Sequence, residues 1–274
     1  MRNCTVVFDS DGCVFDAMEP KHKKCFGPCA VSIFGLEEIK EAFLEKWNYV
    51  NLYSETRGLN RYKALVKVFE EMQRDGYELP DISALKKWCA STKSLSQSEL
   101  EKVREEDKIL ELAFQWSEAV NQSIKTIQQD IVPFRYSAET IERISHDAEI
   151  FVVSSANHGQ IMHVWEKYDL LKYVTEVYGQ ESGSKTECLK NVKAKGYQRI
   201  LMVGDAPGDY LAAEAAGTLF YPILPQAEEL SWHLLLEKYF DEFLHAAYTM
   251  ENERVVVFKM SNRLTGAEAP ARGQ

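Results

Sequence analysis

The sequence predicts an α/β fold built on a parallel sheet with helices on both faces, interrupted near its start by an all-helical insert. Three observations carry that expectation. Across residues 133–223, short apolar runs alternate with stretches of helical periodicity, the pattern of strands joined by crossover helices. Between the first apolar run and the second, residues 17–132 read as helices throughout, a span too long for one crossover and long enough for a bundle of its own. Three of the apolar runs also end in Asp, Ser or Gly, at the edge where open α/β sheets collect their ligands.

The first run, Thr5-Val-Val-Phe8, stops at Asp9-Ser-Asp11-Gly-Cys13 and reads as a buried strand ending at the sheet's rim. On a continuing strand, Asp9 and Asp11 share a face; in a turn opened by Gly12 they are held at different angles around one point. Like charges that close resist joint ionisation, so the pair calls for a cation, or for one carboxyl that stays protonated and serves as an acid. The plainer alternative is a polar turn, because Asp, Ser and Gly all favour turns.

Within the insert, residues 37–49 place Ile39, Phe43 and Trp47 at intervals of four, and residues 62–72 bring Leu65, Val68, Phe69 and Met72 to one face, so both are amphipathic helices. Asp81 is the expected N-cap of a helix over 85–89. Residues 96–106 are polar, and 109–127 carry Leu112, Phe114, Trp116, Val120 and Ile124.

The alternation then resumes with a helix over 138–145. A strand over 149–153 ends in Ser154-Ser155-Ala-Asn157, and a helix over 161–171 follows. A short apolar stretch over 173–178 leads to a loop holding Lys185 and a helix over 186–195. The strand over 199–203 empties into Gly204-Asp205-Ala-Pro-Gly-Asp209, and a helix over 210–216 and a strand over 218–223 complete the pattern. Residues 231–248 read as one amphipathic helix, 255–258 as an added edge strand or interface element, and 264–274 as disordered. The expected domains are thus 1–16 with 133–249 as the α/β core, 17–132 as the helical insert, and 250–274 as an extension.

Composition narrows the function classes. With 32 basic against 42 acidic residues, for a net charge of −10, neither a nucleic acid nor an anionic membrane surface is an expected partner. No apolar stretch approaches the length of a bilayer span, and the opening residues run straight into the first strand, so no signal peptide is expected. The six cysteines are scattered. Cys25 and Cys29 are close but lack the two further ligands of a zinc site, and reduced thiols in a cytoplasmic protein are the expectation.

Chemistry collects at one edge. Asp9 and Asp11, Ser154 and Ser155, and Asp205 and Asp209 follow three predicted strands, with Lys185 at a loop-to-helix junction. Carboxylates from two strands can hold one hard divalent cation through oxygens, as magnesium prefers. A hydroxyl, a backbone amide and a lysine beside it would bind the remaining oxygens of a phosphate. Two other patterns fall away. Residues 179–186 have too few residues between their glycines for a nucleotide P-loop, and Ser154 near His158 lacks the Gly-x-Ser-x-Gly elbow of a serine hydrolase.

The order Asp-x-Asp-Gly, strand to Ser, Lys at a helix start, and Gly-Asp-x-x-x-Asp resembles the haloacid dehalogenase (HAD) superfamily of phosphohydrolases over about residues 5–223. The insert is similar to the α-helical C1-type cap of its phosphoglycolate phosphatase and β-phosphoglucomutase branch. The resemblance implies a Rossmann-like core in which Asp9 is the nucleophile and Asp11 the acid and then the base. It implies Mg2+ held by Asp9, the backbone carbonyl of Asp11, and Asp205, with Asp209 a second ligand through water or an orienter of Lys185. Lys185 would neutralise charge on Asp9 and the phosphoryl group. Ser154, or Ser155 if the register shifts by one, matches the phosphate-binding hydroxyl, with Asn157 beside it.

Within the family, dehalogenases lack the second aspartate and phosphonatases carry Ala there, so Asp11 implies a phosphate ester. Cys13 stands where Thr is common. Arg57-Gly-Leu-Asn-Arg61 resembles the stretch by which such caps touch the non-reacting part of the substrate, the alternative being a capped helix with solvated arginines. Residues 14–17 and 132–135 would be hinges. The implied activity is a magnesium-dependent phosphatase acting on a small phosphorylated metabolite. The alternatives are a sugar phosphomutase using the same aspartates and a non-catalytic phosphate-binding module.

Overall fold

The structure, a computed structural model, describes residues 3–92, 94–249, 253 and 264. The chain forms two compact units, one made of the residues up to Asp16 together with those from Val132 onward, the other of Ala17–Ile131. It opens with β1 (Cys4–Phe8), whose Val6, Val7 and Phe8 are wholly buried.

The second unit is entirely helical among its described residues: α1 (Met18–Lys21), α2 (Gly27–Phe34), α3 (Lys40–Leu52), α4 (Arg61–Arg74), α5 (Ser83–Ser91), α6 (Gln97–Glu101) and α7 (Lys108–Thr126). Its core takes the side chains that the helical period selects. Phe43 and Trp47 of α3, Leu65, Phe69 and Met72 of α4, and Trp116 and Val120 of α7 are buried in one cluster. Asp81 Oδ1 accepts from the Ser83 backbone and hydroxyl at 2.9 and 2.6 Å, so α5 starts two residues before the apolar pattern does. The π-helical turn His22–Phe26 joins α1 to α2 and hides their periodicity in the sequence. His22 stacks on Phe26 at 4.7 Å and accepts from Trp47 Nε1 at 3.1 Å through Nδ1, which leaves its proton on Nε2. Burial first, and then the charges of Arg57, Lys21 and Arg61, push its pKa down to about 3, so it is neutral.

The first unit continues with α8 (Ser137–Asp147), β2 (Glu149–Val153), α9 (His158–Lys167), β3 (Glu176–Tyr178), α10 (Lys185–Ala194), β4 (Arg199–Gly204), α11 (Pro207–Ala216), β5 (Leu219–Pro222), α12 (Glu228–Leu234) and α13 (Phe240–Leu244). The five strands form one sheet in the order β3-β2-β1-β4-β5, and every pairing is parallel. Val7 of β1 stands level with Phe151 of β2 and Met202 of β4. On that face these three join Phe220 and the buried side chains of α10 and α11, such as Leu189, Val192 and Ala213. On the other face Phe8 packs against Trp232 of α12, with ring centroids 5.7 Å apart. Strands buried on both faces need continuous apolar runs, which is why β1, β2 and β4 read so plainly.

The topology positions the site. The chain goes outward from β1 through β2 to β3, then crosses to β4 on the other side of β1. The carboxyl ends of β2, β1 and β4 therefore flank the point where the strand order reverses, the place where such sheets bind ligands.

The C-terminal region departs from the sequence pattern. The helix expected over 231–248 begins at Glu228 and stops at Leu244, because Ala246 takes a left-handed conformation (φ 62°) and the amides of Ala247 and Tyr248 both return to the Glu242 carbonyl, at 2.7 and 3.0 Å. Tyr248 is thereby turned onto the sheet, where its hydroxyl donates to the Phe220 carbonyl of β5 at 2.8 Å. The Glu253 carboxylate accepts the Phe220 N–H at 3.1 Å. Leu264, expected to be disordered, is buried in the cluster under α10 and α11. Residues 255–258 and 265–274 lie outside the described residues. Among the described residues no helix is long and apolar enough to cross a membrane. All six cysteines are free thiols.

Candidate active site

The sheet ends and a turn begins at Asp9. Its N–H still pairs with the Val203 carbonyl at 2.9 Å, continuing the β1–β4 ladder by one residue. Beyond it, Gly12 adopts φ 83°, a conformation that glycine reaches without a Cβ penalty. The Ser10 carbonyl accepts from Val14 and Phe15 at 3.0 and 3.1 Å, and Gly12 donates to the Phe15 carbonyl at 2.9 Å. The two acids thus stand in a turn and not on one face of a strand. Asp9 is buried and Asp11 half-buried. The Ser10 N–H donates to Asp9 Oδ1 at 2.7 Å, which aims the carboxylate.

Lys185 is the first residue of α10, set there by a capping box in which the Ser184 hydroxyl and the Glu187 carboxylate exchange bonds with each other's backbone. Its ammonium lies 2.8 Å from Asp9 Oδ2 and also contacts Asp209 Oδ1. Asp209, in the first turn of α11, uses Oδ2 to accept the Ala206 N–H at 3.1 Å. Carboxylate oxygens of Asp9, Asp205 and Asp209 all lie within 4.8 Å of one another, and all three residues are buried. Asp9 is far in sequence from Asp205 and Asp209, and they meet because β1 and β4 are neighbours in the sheet.

Three buried carboxylates against one lysine leave the cluster short of positive charge. Burial pushes the Asp9 carboxyl up; Lys185 opposes this and Asp209 adds to it, the balance being a pKa of about 6. For Lys185 burial acts downward, but Asp209 and Asp9 outweigh it and drive the ammonium's pKa well up, so it stays charged. Cys13 is buried beneath the cluster, and burial, then Asp205 and Asp9, raise its thiol well above the ordinary range. A raised pKa favours the protonated thiol over a reactive thiolate. An all-oxygen, electron-rich donor set with a deficit of positive charge is what a hard divalent cation requires.

Gly204 makes the close approach possible. A Cβ on it would lie 2.5 Å from Asp209 Cγ. Gly204→Ala is expected to push Asp209 away from Lys185, lowering turnover by roughly 10²-fold, the scale of an ångström's misplacement. It is also expected to cost about 1 to 3 kcal/mol of stability, as overpacked substitutions do. Steady-state kinetics and thermal unfolding of the variant check both; a wild-type rate would show that Asp209 need not sit there.

The remaining candidates divide. Ser154 directly follows β2, one strand over from Asp9; it is buried, its N–H donates to the Tyr178 carbonyl at 3.0 Å, and its Oγ accepts from Ala156 at 3.3 Å. Ser155 is exposed. Asn157 is the N-cap of α9, its Oδ1 accepting from Gly159 at 3.0 Å and its Nδ2 donating to Glu181 at 2.5 Å. Arg57 and Arg61 belong to the helical unit. Arg57 is buried and donates to the Leu52 carbonyl at 3.0 Å. Arg61 donates to Ser117 and Asn121 at 3.2 and 2.9 Å and lies 5.1 Å over the Phe26 ring. Asn60, between them, caps α4, but the arginines are not the solvated pair that a plain capped helix implies.

Sequence reasoning passed over Ser10 and Glu181. Ser10 sits between the two acids, which is itself a signal, since its amide is the nearest donor to Asp9. Glu181 has none, because its role depends on a loop folding back on α9.

A profile of the haloacid dehalogenase-like hydrolases matches residues 59–222, more than half of the chain. The match starts beyond β1, so it covers Ser154, Lys185, Asp205 and Asp209 but not Asp9 or Asp11. No curated protein matches the sequence. Among solved structures, a predicted phosphoglycolate phosphatase from Haemophilus somnus 129pt is similar with a TM-score of 0.52 at 12% identity, over 80% of this chain and 84% of that one. A haloacid dehalogenase-like protein from Bacteroides fragilis is similar with a TM-score of 0.53 at 12% identity, over 84% and 93% of the two chains. At these identities the likeness is one of fold.

Proposed function

The chain belongs to the haloacid dehalogenase-like hydrolases, and from that premise we propose that it is a magnesium-dependent phosphatase that hydrolyses a small phosphate monoester through an aspartyl-phosphate on Asp9. The observation that carries the reading is the meeting of Asp9, Asp205 and Asp209 with Lys185 at the carboxyl ends of β1 and β4.

Asp9 is buried and aimed by the Ser10 amide, so little reorientation separates its free carboxylate from an attacking one. Its oxygen forms the bond to phosphorus as the bond to the ester oxygen breaks, and Asp11 donates a proton to that leaving oxygen. Asp11, now ionised, takes a proton from water, whose oxygen attacks the same phosphorus and returns Asp9 as carboxylate. One half-reaction prepares the acid–base group for the next. Lys185, held by Asp209, faces the negative charge that builds on the phosphoryl oxygens, and Ser154 offers a hydroxyl from the neighbouring strand. Asp9, Asp205 and the Asp11 carbonyl would hold Mg2+, with Asp209 as the orienter of Lys185; the ion, when bound, supplies the positive charge the cluster lacks.

The helical unit is assigned the role of a cap. Where the chain leaves and rejoins the first unit, the Asp16 N–H donates to the Val132 carbonyl at 2.8 Å and the Phe134 N–H to the Val14 carbonyl at 2.9 Å.

The test is a panel of phosphorylated metabolites incubated with and without Mg2+, following free phosphate and product. Phosphate release that needs the ion and is lost reversibly with EDTA is the expected result. An isomeric sugar phosphate with little free phosphate would make the chain a mutase. No turnover of any ester would overturn the reading.

A further inference from the structure

Two tryptophans that helical periodicity assigns to core packing reach the acidic turn with their indole N–H groups. Trp165 of α9 donates to the Ser10 hydroxyl at 3.1 Å. Trp232 of α12 donates to the Cys13 carbonyl at 3.0 Å. Both rings are wholly buried, as are Ser10 and Cys13. An indole has one polar group, a donor, and burying it unpaired would cost about 1 to 3 kcal/mol, so each ring has a strong reason to keep this orientation. Packing agrees, since Trp165 meets Phe15 edge-on at 5.8 Å and Trp232 lies against Phe8 at 5.7 Å.

The turn's internal bonds set its shape. Its placement on the sheet depends on contacts beyond these, among them the Asp9 amide and the Cys13 thiol on the Val203 carbonyl, at 2.9 and 3.5 Å, and the two indoles. Trp165 grips the residue between the acids, and Trp232 grips the residue after Gly12, the most pliable point of the turn. The two helices belong to different parts of the chain, α9 following β2 on one side of β1 and α12 following β5, the edge strand on the other.

We propose that Trp165 and Trp232 are positioning residues that clamp the turn and so hold Asp11 in place relative to Asp9. The inference rests on the phosphatase reading for its catalytic consequence, but not for the clamp itself. Each indole N–H acts through Ser10 or Cys13.

Trp165→Phe and Trp232→Phe keep an aromatic ring and remove the donor, and Ser10→Ala removes one acceptor. Each is expected to lower kcat on an aryl phosphate by roughly tenfold or more with KM within about twofold, the mark of a group whose effect is confined to the chemical step. Trp165→Phe combined with Ser10→Ala should be no slower than the slower single variant, because both break one contact. In the tryptophan variants the amides of Val14 and Phe15 should exchange with solvent about tenfold faster while those of Val6 and Val7 do not. A tryptophan that only fills the core would lower the unfolding temperature and leave the kcat-to-KM split and the turn amides unchanged. Multiplicative losses in the double variant, or unaltered turn exchange, would overturn the clamp. If Trp165→Phe folds poorly, Trp232→Phe provides the same comparison. A wild-type chain that releases phosphate from no ester would refute the phosphatase reading, and the exchange measurement alone would then decide the clamp.

Discussion

Asp9→Asn is expected to lower turnover of a phosphate ester by about 10⁴-fold or more, the scale on which removal of an attacking group is felt. The amide retains an oxygen for the Ser10 N–H, so the shape of the site should survive. Stability separates this loss from misfolding. Because burial raises the Asp9 pKa to about 6, the folded metal-free protein holds that proton more tightly than the unfolded chain. The contribution of Asp9 to stability is therefore greatest at low pH and is lost as pH rises from about 4 through 6. Asn carries no charge to bury, so at pH 7 without metal the variant should unfold at the same temperature as the wild type or a higher one, and the difference should vanish below pH 4. Paired activity and unfolding measurements across that range check both halves. Substantial turnover by the variant would exclude Asp9 as the nucleophile, and a large loss of stability at pH 7 would show that Asp9 is structural.

Lys185→Met is expected to have an effect of similar size with the opposite stability signature. The lysine is the shared partner of Asp9 and Asp209, and taking one member from a buried ion pair strands the charges that remain, typically costing about 3 kcal/mol or more. Two carboxylates facing each other without the ammonium will tend to share a proton, so the loss should shrink as pH falls. Magnesium should restore part of the stability, since a divalent cation relieves the same repulsion, yet it should not restore turnover, because the phosphoryl oxygens still lack their ammonium partner. Turnover should fall by roughly 10³-fold, comparable to losing a principal charge-stabilising donor. Calorimetry with and without Mg2+, beside kinetics, makes the check. Stability unchanged at neutral pH would mean that the acidic cluster needs no lysine to hold it together.

Much of this was readable from residue order. The strands β1, β2 and β4 are buried on both faces, so their sequences are unbroken apolar runs. The polar residues that follow them mark the sheet edge. Asp9, Asp205, Asp209 and Lys185 fall into one group by sequence alone, because parallel strands direct their carboxyl ends the same way. The helices α3, α4 and α7 were legible for the corresponding reason, a 3.6-residue period around a single core.

What escaped was decided by contacts between distant segments. The π-helical turn at His22–Phe26 breaks the period that would reveal α1 and α2. The end of α13 at Leu244 goes with the left-handed Ala246 and with Tyr248 finding the Phe220 carbonyl, a partner 28 residues away. Arg57 and Arg61 read either as cap residues touching the substrate or as solvated arginines beside a capped helix; nothing local in their sequence announces the Leu52 carbonyl or the Ser117 and Asn121 side chains to which they donate. Trp165 and Trp232 read as core because burial is what their spacing encodes; nothing local says where an indole N–H points.

By itself the sequence determined the class of fold, the strands and the set of acidic and basic groups assembled at one edge, because burial and periodicity are properties of neighbouring residues. Only the tertiary structure decided that Asp9 and Asp11 stand in a turn, that Asp209 spends one oxygen on Lys185 and the other on its own helix, and that two indoles hold the turn. Those outcomes depend on the direction of single hydrogen bonds, and such directions are set by whichever partner the folded chain brings within about 3 Å.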